Sequence, residues 1–459
     1  MNKTKKFYKS LENQKIAFIG TGVSHNDLMK LFLKKGLDVT LCDKKTSDRL
    51  GTVYNELAEL GCKFSLGENY LDEIYNSDVV FRTPGMYFNS PALEKARSMG
   101  IAVTSETEVF FDVCPCDIIG ITGTEGKTTT TTVISEMLAA DGRTVHKGGN
   151  IGRALLPEAD NIGDDDITVA ELSSFQLISM RSSPKIALIT NVYPDHLNVH
   201  KDMDEYINAK KNLIIHQNAF SRTVLNADNE ITASMAPLVR GELRMFSTKT
   251  VPERGAFLDA GGMLCYNDGG NIERIVHKDD IKIPGMHNVE NYLAAITVLW
   301  GDVSVRSIVN TAKNFGGVEH RIEYVRCFNG VKYYNDSIAT SPVSVIAGLN
   351  AFSQRLIVIA GGSDKNLDYS TLAEPISTHA KLLILMGQTA DKIEAAVRAF
   401  NPECRIIRLK DMEEAVITAS KYAVGGDIVT LSPASASFDM YSNFEERGLH
   451  YKSIVNSLK

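Results

Sequence analysis

The stretch ITGTEGKTTTTT, residues 121–132, decides the fold because it places a glycine-rich loop between two different hydrophobic patterns. The residues before it, 117–120, read as a short buried strand, and the apolar positions after it recur at helical spacing, at Val133, Ile134, Met137 and Leu138. A strand, a loop and a helix in this order aim free backbone N–H groups and the positive end of a helix dipole at one point. That arrangement suits a phosphate group.

Four residues of the loop predict a nucleotide triphosphate site. Gly123 and Gly126 let the backbone approach an anion closely, Lys127 adds a positive charge, and the Thr128 hydroxyl can ligate Mg²⁺. The spacing departs from the usual phosphate loop, because Gly123 stands only two residues ahead of the Gly-Lys pair, where four are usual. The alternative is a glycine turn in which Thr128 caps the helix.

Length, composition and charge narrow the class of protein. The 459 residues are enough for about three domains, and 44% hydrophobic with 23% charged residues exclude a disordered or fibrous chain. A formal net charge of −7 argues against a protein that coats nucleic acid, so an anionic ligand must be met by locally placed lysines and arginines. Nucleotides fit this balance, whereas long polyanions do not.

Cysteine usage and the chain start predict a reduced, cytoplasmic protein. Seven cysteines are too few and too irregular for a disulfide framework or a four-thiolate zinc site. The start MNKTKKFYKSLENQ is basic but lacks the apolar stretch of a signal peptide, and no run approaches the ~20 apolar residues of a membrane span. We therefore expect no membrane insertion.

The first segment opens with a βαβ pattern: a strand over 15–19, a glycine turn, a helix through Leu33 and a strand ending at Asp43. A further strand, in DVVFRTPGM, ends at Thr83-Pro84-Gly85, and the carboxyl ends of parallel strands are where ligand loops lie. The segment therefore predicts a doubly wound sheet with a binding crevice.

Part of a dinucleotide-binding fingerprint is present in the same segment. Gly20 and Gly22 fill its first two places, and Asp43 lies about 20 residues further on, but His25 occupies the place of the third glycine. A nicotinamide-dependent enzyme and a doubly wound sheet without NAD both remain open at this point.

The α/β alternation recurs twice more along the chain. In the middle segment strands end at Gly120, Glu171 and Asn191, and a helix covers 287–300. Residues 219–283 are rich in turns and short alternating runs, which we interpret as an extension of this segment. From about residue 318, helical stretches separate four strands, VKYYND, RLIVIAGG, KLLILMG and DIVTLSP. The predicted fold class is α/β.

Two side chains just past strand ends are candidates for metal binding. Glu171 could hold Mg²⁺ opposite the Thr128 hydroxyl, or it could be an ordinary helix cap. His196, in TNVYPDHLNVH, lies close to where the phosphate loop should open; a structural histidine is the alternative.

Nine segments, in order along the whole chain, carry a resemblance to a known family: GTEGKTTTT, GGNIG, ELSSFQL, NVYPDHL, MHNVENYLAA, EHRIE, YYNDSIATSP, GGSDKNLDY and SPASASFDMYSNFEERG. Together they resemble the Mur ligases, ATP-dependent enzymes of peptidoglycan precursor synthesis and hence of cell wall biogenesis, cell shape and cell division. The last three look most like the member that adds D-glutamate to UDP-N-acetylmuramoyl-L-alanine. No DNPR-type motif of the diaminopimelate- or lysine-adding members is present.

The resemblance implies three domains. Residues 1–106 would form a Rossmann-like domain that binds the UDP end of the substrate, 107–317 a central P-loop ATPase-type parallel sheet, and 318–459 a Rossmann-like C-terminal α/β domain that binds the amino acid. The first domain then needs no NAD. Its substrate-binding residues would be Thr21, Gly22, Val23, Asp43, Thr83, Pro84 and Gly85.

The resemblance also implies an ATP site with two Mg²⁺ ions. Lys127 would hold the β- and γ-phosphates, Asn150 would contact the transferred phosphoryl group, and Thr128 with Glu171 would bind one Mg²⁺. His196 would ligate the second, helped by Lys210, which corresponds to the family's carbamylated lysine although Lys211 beside it makes the choice ambiguous. The remaining ATP-binding residues would be Gly123, Thr124, Glu125, Gly126, Thr129, Asn288, Asn291, Arg321 and Asp336.

D-Glutamate has two carboxylates besides its amine, so its pocket needs a cation and directed donors. The matching residues are Lys365, Thr340 and Ser437, with backbone N–H groups near Phe438 and Phe444. The small-molecule partners would be UDP-N-acetylmuramoyl-L-alanine and D-glutamate, and we expect a monomer. Alternatives are folylpolyglutamate synthase, a nucleotide-gated regulatory protein without ligase activity, and an NAD-dependent dehydrogenase.

Overall fold

The computed structural model describes residues 3–197, 199–365 and 367–459, except for the side chains of Val23, Ser24 and Val343. Two compact units emerge. The first comprises the residues up to Lys278 together with Glu290–Thr311, and the second comprises Asp279–Val289 and Ala312–Lys459. The first unit contains two parallel sheets and a small antiparallel one, and the second contains one sheet.

The first sheet has five parallel strands in the order β3-β2-β1-β4-β5. The strands are β1 Lys15–Ile19, β2 Asp38–Asp43, β3 Lys63–Leu66, β4 Val79–Phe81 and β5 Ala102–Thr104. The accompanying helices are α1 Lys3–Ser10, α2 Val23–Lys34, α3 Ser47–Leu50, α4 Thr52–Glu59, α5 Pro91–Ser98 and α6 Glu106–Val113. The predicted βαβ opening is confirmed. The strand order reverses between β1 and β4, and ligands of doubly wound sheets bind at such a switch point.

The second sheet has six parallel strands in the order β11-β10-β9-β6-β8-β7. They are β6 Asp117–Thr122, β7 Val145–Gly149, β8 Ile167–Glu171, β9 Ile186–Ile189, β10 Arg222–Asn226 and β11 Glu242–Phe246. The helices are α7 Lys127–Ala140, α8 Ser174–Leu177, α9 Met203–Lys211, α10 Glu230–Ala233, α11 Met286–Leu299 and α12 Val305–Asn314. β6 runs past the predicted end at Gly120, because both neighbouring strands continue to pair with it.

The turn-rich region 219–283 is correctly interpreted as part of the middle segment. β10 and β11 extend the parallel sheet, and an antiparallel sheet follows, with strands β12 Arg254–Leu258, β13 Met263–Asp268 and β14 Asn271–His277. Gly269 and Gly270, both at positive φ (65° and 108°), make the two-residue turn between β13 and β14. Such a Gly-Gly pair is a hairpin signal that the sequence contained.

One hydrophobic core is shared by the first two sheets. It includes Phe18 and Phe81 of the first sheet, Phe110 of α6, and Ala170 and Ile189 of the second sheet. A buried carboxylate crosses the same boundary: Glu106 accepts a hydrogen bond from the backbone N–H of Leu156 at 2.7 Å. The first unit is therefore held together by packing as well as by chain connectivity.

The third sheet, in the second unit, has the order β15-β16-β20-β17-β18-β19, with β15 antiparallel to β16 and the other pairs parallel. Its strands are β15 Glu323–Phe328, β16 Val331–Asn335, β17 Leu356–Ala360, β18 Ala380–Leu385, β19 Ile406–Arg408 and β20 Ile428–Leu431. The helices are α13 Pro342–Leu349, α14 Ala373–His379, α15 Ala390–Phe400, α16 Met412–Tyr422 and α17 Phe444–Ser457. The four predicted strands are present; the edge strands β15 and β19 were not predicted.

Short 3₁₀ helices complete the secondary structure, at Asp72–Asn76, Leu156–Asn161, Ala236–Leu238, Lys278–Asp280 and Ser370–Leu372. Each of the three large sheets lies inside one of the predicted segments 1–106, 107–317 and 318–459, whose exact boundaries stay a prediction. In the described part of the chain, no helix combines the length and apolarity needed to cross a membrane.

Candidate active site

The phosphate loop, residues 123–126, connects β6 to α7 and depends on two glycines with positive φ. Gly123 has a φ of 156° and Gly126 a φ of 77°, values that L side chains rarely adopt. A Cβ on Gly123 would lie 1.9 Å from the Thr190 hydroxyl oxygen, and one on Gly126 would lie 2.4 Å from Oδ1 of Asn291. The predicted loop conformation therefore requires glycine at both positions, for space as well as for backbone angles.

Lys127, the first residue of α7, folds back over this loop. Its Nζ donates to the carbonyl oxygens of Thr124 at 2.7 Å and Gly123 at 3.0 Å. Thr128 and Thr129 follow in the first turn of the helix, with Thr129 buried and Thr128 half-buried. The ammonium group thus spans the loop and donates to two neutral carbonyl groups there.

Two residues that the sequence did not single out fix the exposed Glu125 at the tip of the loop. Asn191 accepts a hydrogen bond from the Glu125 N–H at 2.8 Å, and the Thr190 hydroxyl donates to the Glu125 carbonyl at 2.7 Å. Thr124 is held by a hydroxyl contact with Tyr206 at 3.0 Å. The segment after β9 therefore supports the loop from the neighbouring strand.

Glu171 and Asn150 meet at the carboxyl ends of β8 and β7. Asn150 Nδ2 donates to Glu171 Oε1 at 2.9 Å, and the Asn150 N–H donates to the Glu171 carbonyl at 2.8 Å. Glu171 is buried, and its second oxygen, Oε2, has no hydrogen-bond partner among the described residues. An orphaned buried carboxylate oxygen beside a phosphate loop suits a bound cation.

Lys210, on α9, is buried against the same loop. Its Nζ donates to the Gly123 carbonyl at 2.7 Å and lies 4.6 Å from the centre of the Tyr206 ring. Burial, with a further contribution from the Lys127 charge, holds the pKa of the Lys210 amine well below its usual range, and Asp195 opposes this. The neighbouring Lys211 instead contacts Asn208 at 3.4 Å. Lys210, and not Lys211, is therefore the lysine that contacts the loop, and its carbamylation stays a prediction.

His196 and its neighbour His200 differ in environment. His196 has a positive φ of 54°, and its side chain is 49% exposed, with Nε2 3.4 Å from Oδ2 of Asp195. His200 is buried, stacks on Phe175, and contacts the Ser174 hydroxyl at 2.9 Å. Burial lowers the pKa of His200. His196 is thus the histidine open to a ligand, and His200 has a packing role that the sequence did not indicate.

Among the residues that the structure describes, no three His, Cys, Asp or Glu side chains gather as a metal site. The predicted ligand set draws instead on a threonine hydroxyl, one carboxylate, one histidine and a modified lysine. Such a set depends on phosphate oxygens and water for the rest of a magnesium shell.

A second group of predicted residues lies at the switch point between β1 and β4. Thr21 donates through its N–H (3.1 Å) and its hydroxyl (3.2 Å) to Oδ2 of Asp43, so this carboxylate holds the glycine turn in place. A Cβ on Gly22 would lie 3.6 Å from the Thr83 hydroxyl, and the Met86 N–H donates to the Thr83 carbonyl at 3.0 Å, closing a turn over Pro84 and Gly85. Val23 begins α2, and its side chain lies outside the described part.

His25 explains the imperfect dinucleotide fingerprint. Its ring packs edge-on against Phe18 of β1 with 5.2 Å between ring centres, and Nδ1 contacts the Gly20 carbonyl at 3.1 Å. Burial lowers the pKa of His25 to about 4, although backbone hydrogen bonds with Gly20, Ile19 and Arg82 oppose this. A neutral imidazole therefore fills the strand-to-helix contact that the third glycine of the fingerprint keeps free.

Two side chains tie the loop after β4 to the second sheet's layer. The buried Arg82 donates to the Phe175 carbonyl at 2.9 Å and the Ser179 hydroxyl at 2.7 Å. Tyr87 donates to the Glu205 carboxylate at 2.5 Å. Neither contact was predicted, and both fix the position of Thr83-Pro84-Gly85 relative to the phosphate loop's sheet.

In the second unit, Asp336 follows β16 and is buried. The Ser432 hydroxyl donates to its Oδ2 at 2.9 Å and the Ile322 N–H to its Oδ1 at 3.2 Å. Burial raises the pKa of Asp336 to about 7, against the effect of these bonds and of the Arg321 charge. Both carboxylate oxygens of this predicted ATP-binding residue therefore already accept hydrogen bonds from the protein.

The two asparagines predicted to bind ATP, Asn288 and Asn291, lie on α11 and are both buried. Asn288 donates to the Pro284 carbonyl at 2.6 Å. In the first unit, Asn291 accepts from the Thr130 hydroxyl at 3.0 Å, directly beneath Gly126. Asn291 is therefore part of the phosphate loop's support.

The residues predicted for D-glutamate come together in the second unit. A backbone hydrogen bond from Ser363 to Ala436, 2.8 Å long, joins the loop that carries Lys365 to the loop that carries Ser437. Lys365 Nζ lies 5.4 Å from the centre of the exposed Phe438 ring. Thr340 is linked to the same region through the neighbouring Ala339, whose carbonyl accepts from the Ala434 N–H at 2.9 Å.

The buried Arg447, one turn into α17, organises these loops and was not predicted. Its guanidinium donates to the carbonyls of Ser337 at 2.8 Å, Ser435 at 3.0 Å and Ala436 at 3.1 Å. Phe444, the first residue of the helix, accepts from the Ser337 hydroxyl at 2.8 Å. A single cation thus collects three carbonyl groups under the Lys365 loop.

Comparison with known proteins gives matches over the whole chain. Residues 121–299 match the Mur ligase middle domain, and residues 320–435 match the Mur ligase glutamate ligase domain. The chain is 48% identical to a UDP-N-acetylmuramoylalanine--D-glutamate ligase of Acetivibrio thermocellus, over 99% of this chain and 98% of the relative. It is 47% identical to the protein of that name from Clostridium acetobutylicum, over 99% and 98%. The chain belongs to the Mur ligase family.

Solved structures agree with this Mur ligase at the level of the fold. UDP-N-acetylmuramate-alanine ligase from Thermotoga maritima superposes with a TM-score of 0.60 at 18% identity, over 97% of this chain and 100% of that one. A pseudomurein peptide ligase type C from Methanothermus fervidus gives 0.56 at 21% identity, with the same coverage. The predicted α/β fold of the family is confirmed.

Proposed function

We propose that this Mur ligase is an ATP-dependent enzyme that joins D-glutamate to UDP-N-acetylmuramoyl-L-alanine in peptidoglycan precursor synthesis. The observation that carries the proposal is the meeting of Lys127, Glu171 and Lys210 around one glycine loop at the carboxyl end of β6. The named relatives, 44–48% identical over the full chain, support the choice of substrates. The cytoplasm and a monomeric state are part of the proposal.

The reaction proceeds in two steps. A carboxylate oxygen of the UDP-linked substrate attacks the γ-phosphorus of ATP, the bond from that phosphorus to ADP breaks, and an acyl phosphate forms. The D-glutamate amine then attacks the acyl carbon, inorganic phosphate leaves, and the nitrogen loses a proton. Activation is needed because a carboxylate is a poor acyl donor, whereas phosphate is a good leaving group.

Lys127 is placed to serve the first step. When a triphosphate binds, the Lys127 ammonium exchanges the Gly123 and Thr124 carbonyls for phosphate oxygens. The exchange replaces neutral carbonyl acceptors by anionic phosphate oxygens, and the Coulomb attraction between opposite charges favours the bound nucleotide. The backbone N–H groups at the start of α7 add to the same field. Asn150, beside Glu171, is placed to contact the transferred group.

The site suits a magnesium ion because Glu171 Oε2 is buried and has no hydrogen-bond partner among the described residues. Thr128 and Glu171 would hold one ion, and His196 with a carbamylated Lys210 would hold another. Repulsion between two unit charges 4 Å apart is about 4 kcal/mol at an effective dielectric of 20, and bound Mg²⁺ offsets such repulsion between the phosphates and the attacking carboxylate.

Carbamylation of Lys210 is a part of the proposal with its own test. The neutral amine adds to the carbon of CO₂ and loses a proton, which replaces a cation by an anion. The lowered pKa of Lys210 favours the neutral amine. With ¹³C-labelled bicarbonate we expect one carbamate resonance that survives in Lys211→Ala and disappears in Lys210→Ala. If the resonance disappears in Lys211→Ala instead, the carbamate lies on Lys211 and the proposal for Lys210 is wrong.

In the second unit, Lys365 and the loop around Ser437 would take the two carboxylates of D-glutamate. The open position of Lys365 over the exposed Phe438 ring leaves its ammonium available to an anionic ligand. Arg321, Asp336 and Asn288 remain predicted ATP-binding residues.

Phosphate release provides the decisive assay. The protein is given ATP, Mg²⁺ and UDP-N-acetylmuramoyl-L-alanine with D-glutamate, L-glutamate, L-lysine or diaminopimelate, one at a time. We expect release with D-glutamate alone. Release with lysine would point to a sister enzyme, a requirement for a folate acceptor would point to folylpolyglutamate synthase, and hydrolysis indifferent to every amino acid would indicate a regulatory ATPase.

An isotope experiment tests the acyl phosphate itself. If the substrate carboxylate carries ¹⁸O, one labelled oxygen must appear in the released phosphate, because the carbon–oxygen bond breaks when the amine attacks. Unlabelled phosphate would exclude the proposed intermediate while leaving the substrate assignment intact.

A further inference from the structure

Two cysteines lie in contact at the opposite end of the central sheet from the phosphate loop. Cys114 directly follows α6, and Cys116 directly precedes β6, with Pro115 between them. Their sulfur atoms are 3.7 Å apart, and both residues are buried. The residues predicted for the site include neither cysteine, and the chain's seven cysteines are too few and too irregular for a disulfide framework.

The surroundings distinguish the two thiols. The Thr168 hydroxyl, on β8, lies 3.3 Å from the Cys116 sulfur and 3.7 Å from the Cys114 sulfur. The hydrogen bond from Cys114, followed by that from Thr168 and the charge of His146, lowers the pKa of Cys116, although burial opposes this. The Cys114 pKa is raised by the same pairing. Cys116 is therefore the thiol that ionises first, and Cys114 is its neighbour poised to react with it.

A cavity of about 540 Å³ lies beside the segment that carries this pair. Its wall includes Pro115 and Asp117, the two chain neighbours of Cys116, and Ile167, the chain neighbour of Thr168. It also includes the first residues of several strands of the central sheet, among them Ile186 and Arg222. Both cysteines are thus chain neighbours of residues that line the cavity.

We propose that Cys114 and Cys116 form a reversible intramolecular disulfide when a small peroxide reaches this cavity. The Cys116 thiolate attacks one peroxide oxygen, the O–O bond breaks, and Cys116 becomes a sulfenic acid while hydroxide takes up a proton. The Cys114 sulfur then attacks the Cys116 sulfur, and water leaves with the Cys114 proton. Two thiols and one hydrogen peroxide give one disulfide and two waters, so the two electrons balance.

Geometry favours a bond that forms and is easily broken. An S–S bond is about 2.05 Å long, so the sulfurs must approach by roughly 1.6 Å from their present separation of 3.7 Å. A ring closed over a single intervening proline departs from relaxed disulfide geometry, and strained disulfides are the readily reduced ones. The pair therefore suits a transient modification rather than a structural bridge.

Peptide mapping of the intact protein tests the proposal. Cleavage after Arg97 and Lys127 yields one peptide, residues 98–127, that contains both cysteines and no third one. After brief treatment with dilute hydrogen peroxide and alkylation in denaturant, we expect this peptide to lack two hydrogens and to resist alkylation. A thiol reductant added before alkylation should restore two alkylated cysteines.

Variants test the order of events. In Cys114→Ser we expect a Cys116 sulfenic acid that dimedone traps, whereas in Cys116→Ser the peptide should stay reduced at the same peroxide dose. Cys404→Ser, which removes a buried thiol of the second unit, is the matched control and should leave disulfide formation unchanged.

The proposal is overturned if the unaltered protein keeps both thiols alkylatable while the exposed Cys327 is oxidised, or if the pair passes to sulfinic acids without a bond between them. Because these readings come from the unaltered chain, they hold even where a serine variant fails to fold.

Discussion

Replacing Gly126 by alanine should destabilise the first unit through two separable effects. An L residue at a φ of 77° costs about 1–2 kcal/mol. The new Cβ would also lie 2.4 Å from Asn291 Oδ1, so that side chain must move and release the buried Thr130 hydroxyl, which donates to it at 3.0 Å. An unsatisfied buried donor costs about 1–3 kcal/mol, giving a total of about 2–5 kcal/mol.

Gly142 is the matched control because it follows the other end of the same helix, α7. Its φ is 85°, but nothing lies within 4 Å of a Cβ built there. Gly142→Ala should therefore lose only the backbone contribution of about 1–2 kcal/mol. The single tryptophan, Trp300, stacks on Tyr266 inside the first unit, so its fluorescence during urea unfolding reports that unit in every variant.

A double-mutant cycle isolates the contact. Asn291→Ala alone should cost about 1–3 kcal/mol through the released Thr130 hydroxyl, and this loss is common to both single variants. Gly126→Ala combined with Asn291→Ala should therefore be less destabilised than the sum of the singles by about 1–3 kcal/mol. Full additivity, or a Gly126→Ala variant no less stable than Gly142→Ala, would refute the reasoning.

Three further outcomes are expected. Lys127→Ala should lower turnover by about 10²–10³-fold while binding of the UDP-linked substrate, measured by calorimetry, stays detectable; loss of both would indicate a folding defect. Lys365→Met should raise KM for D-glutamate about tenfold or more with KM for ATP unchanged, since a hydrogen bond to a charged group is worth about 1.5–3 kcal/mol. Asp336 binds its proton more tightly in the folded state, so its contribution to stability is complete below pH 3.8 and is lost as the pH rises to about 7. Hydrogen exchange in β16 should accordingly show Asp336→Asn gaining protection over the parent protein as the pH rises through this window, and a pH-independent difference would contradict the burial argument.

Features that depend on local pattern were predicted from the sequence, and this includes the core of the site. The strand, loop and helix around residues 121–132 were predictable because the loop needs positive φ angles at Gly123 and Gly126, which glycine adopts readily. The β1–α2–β2 opening was predictable from its buried strands. β15 and β19 were missed because edge strands bury few side chains and so leave a weak alternation.

Features that depend on tertiary packing could not be predicted. Lys210 and Lys211 are equivalent in the sequence, and only the packing of α9 buries one of them against the loop. Arg82 and Arg447 donate hydrogen bonds to carbonyl groups of other segments of the chain, and no local sequence pattern predicts such contacts. The burial of Asp336 beneath Gly348, where a Cβ would lie 2.7 Å from the carboxylate, is likewise invisible in YYNDS.

A shared interior limits how the first two sheets could be exchanged between relatives. Phe18 and Phe81 on one side of residue 106 pack into the same cluster as Phe110 and Ile189 on the other. A chimera joined at residue 106 combines two halves of the core that come from different parents. Its buried Glu106 then accepts a hydrogen bond from Leu156 of the other parent. Exchanging domains at this position therefore requires compensating core substitutions in both sheets. A chimera that transfers both sheets together keeps the original core packing.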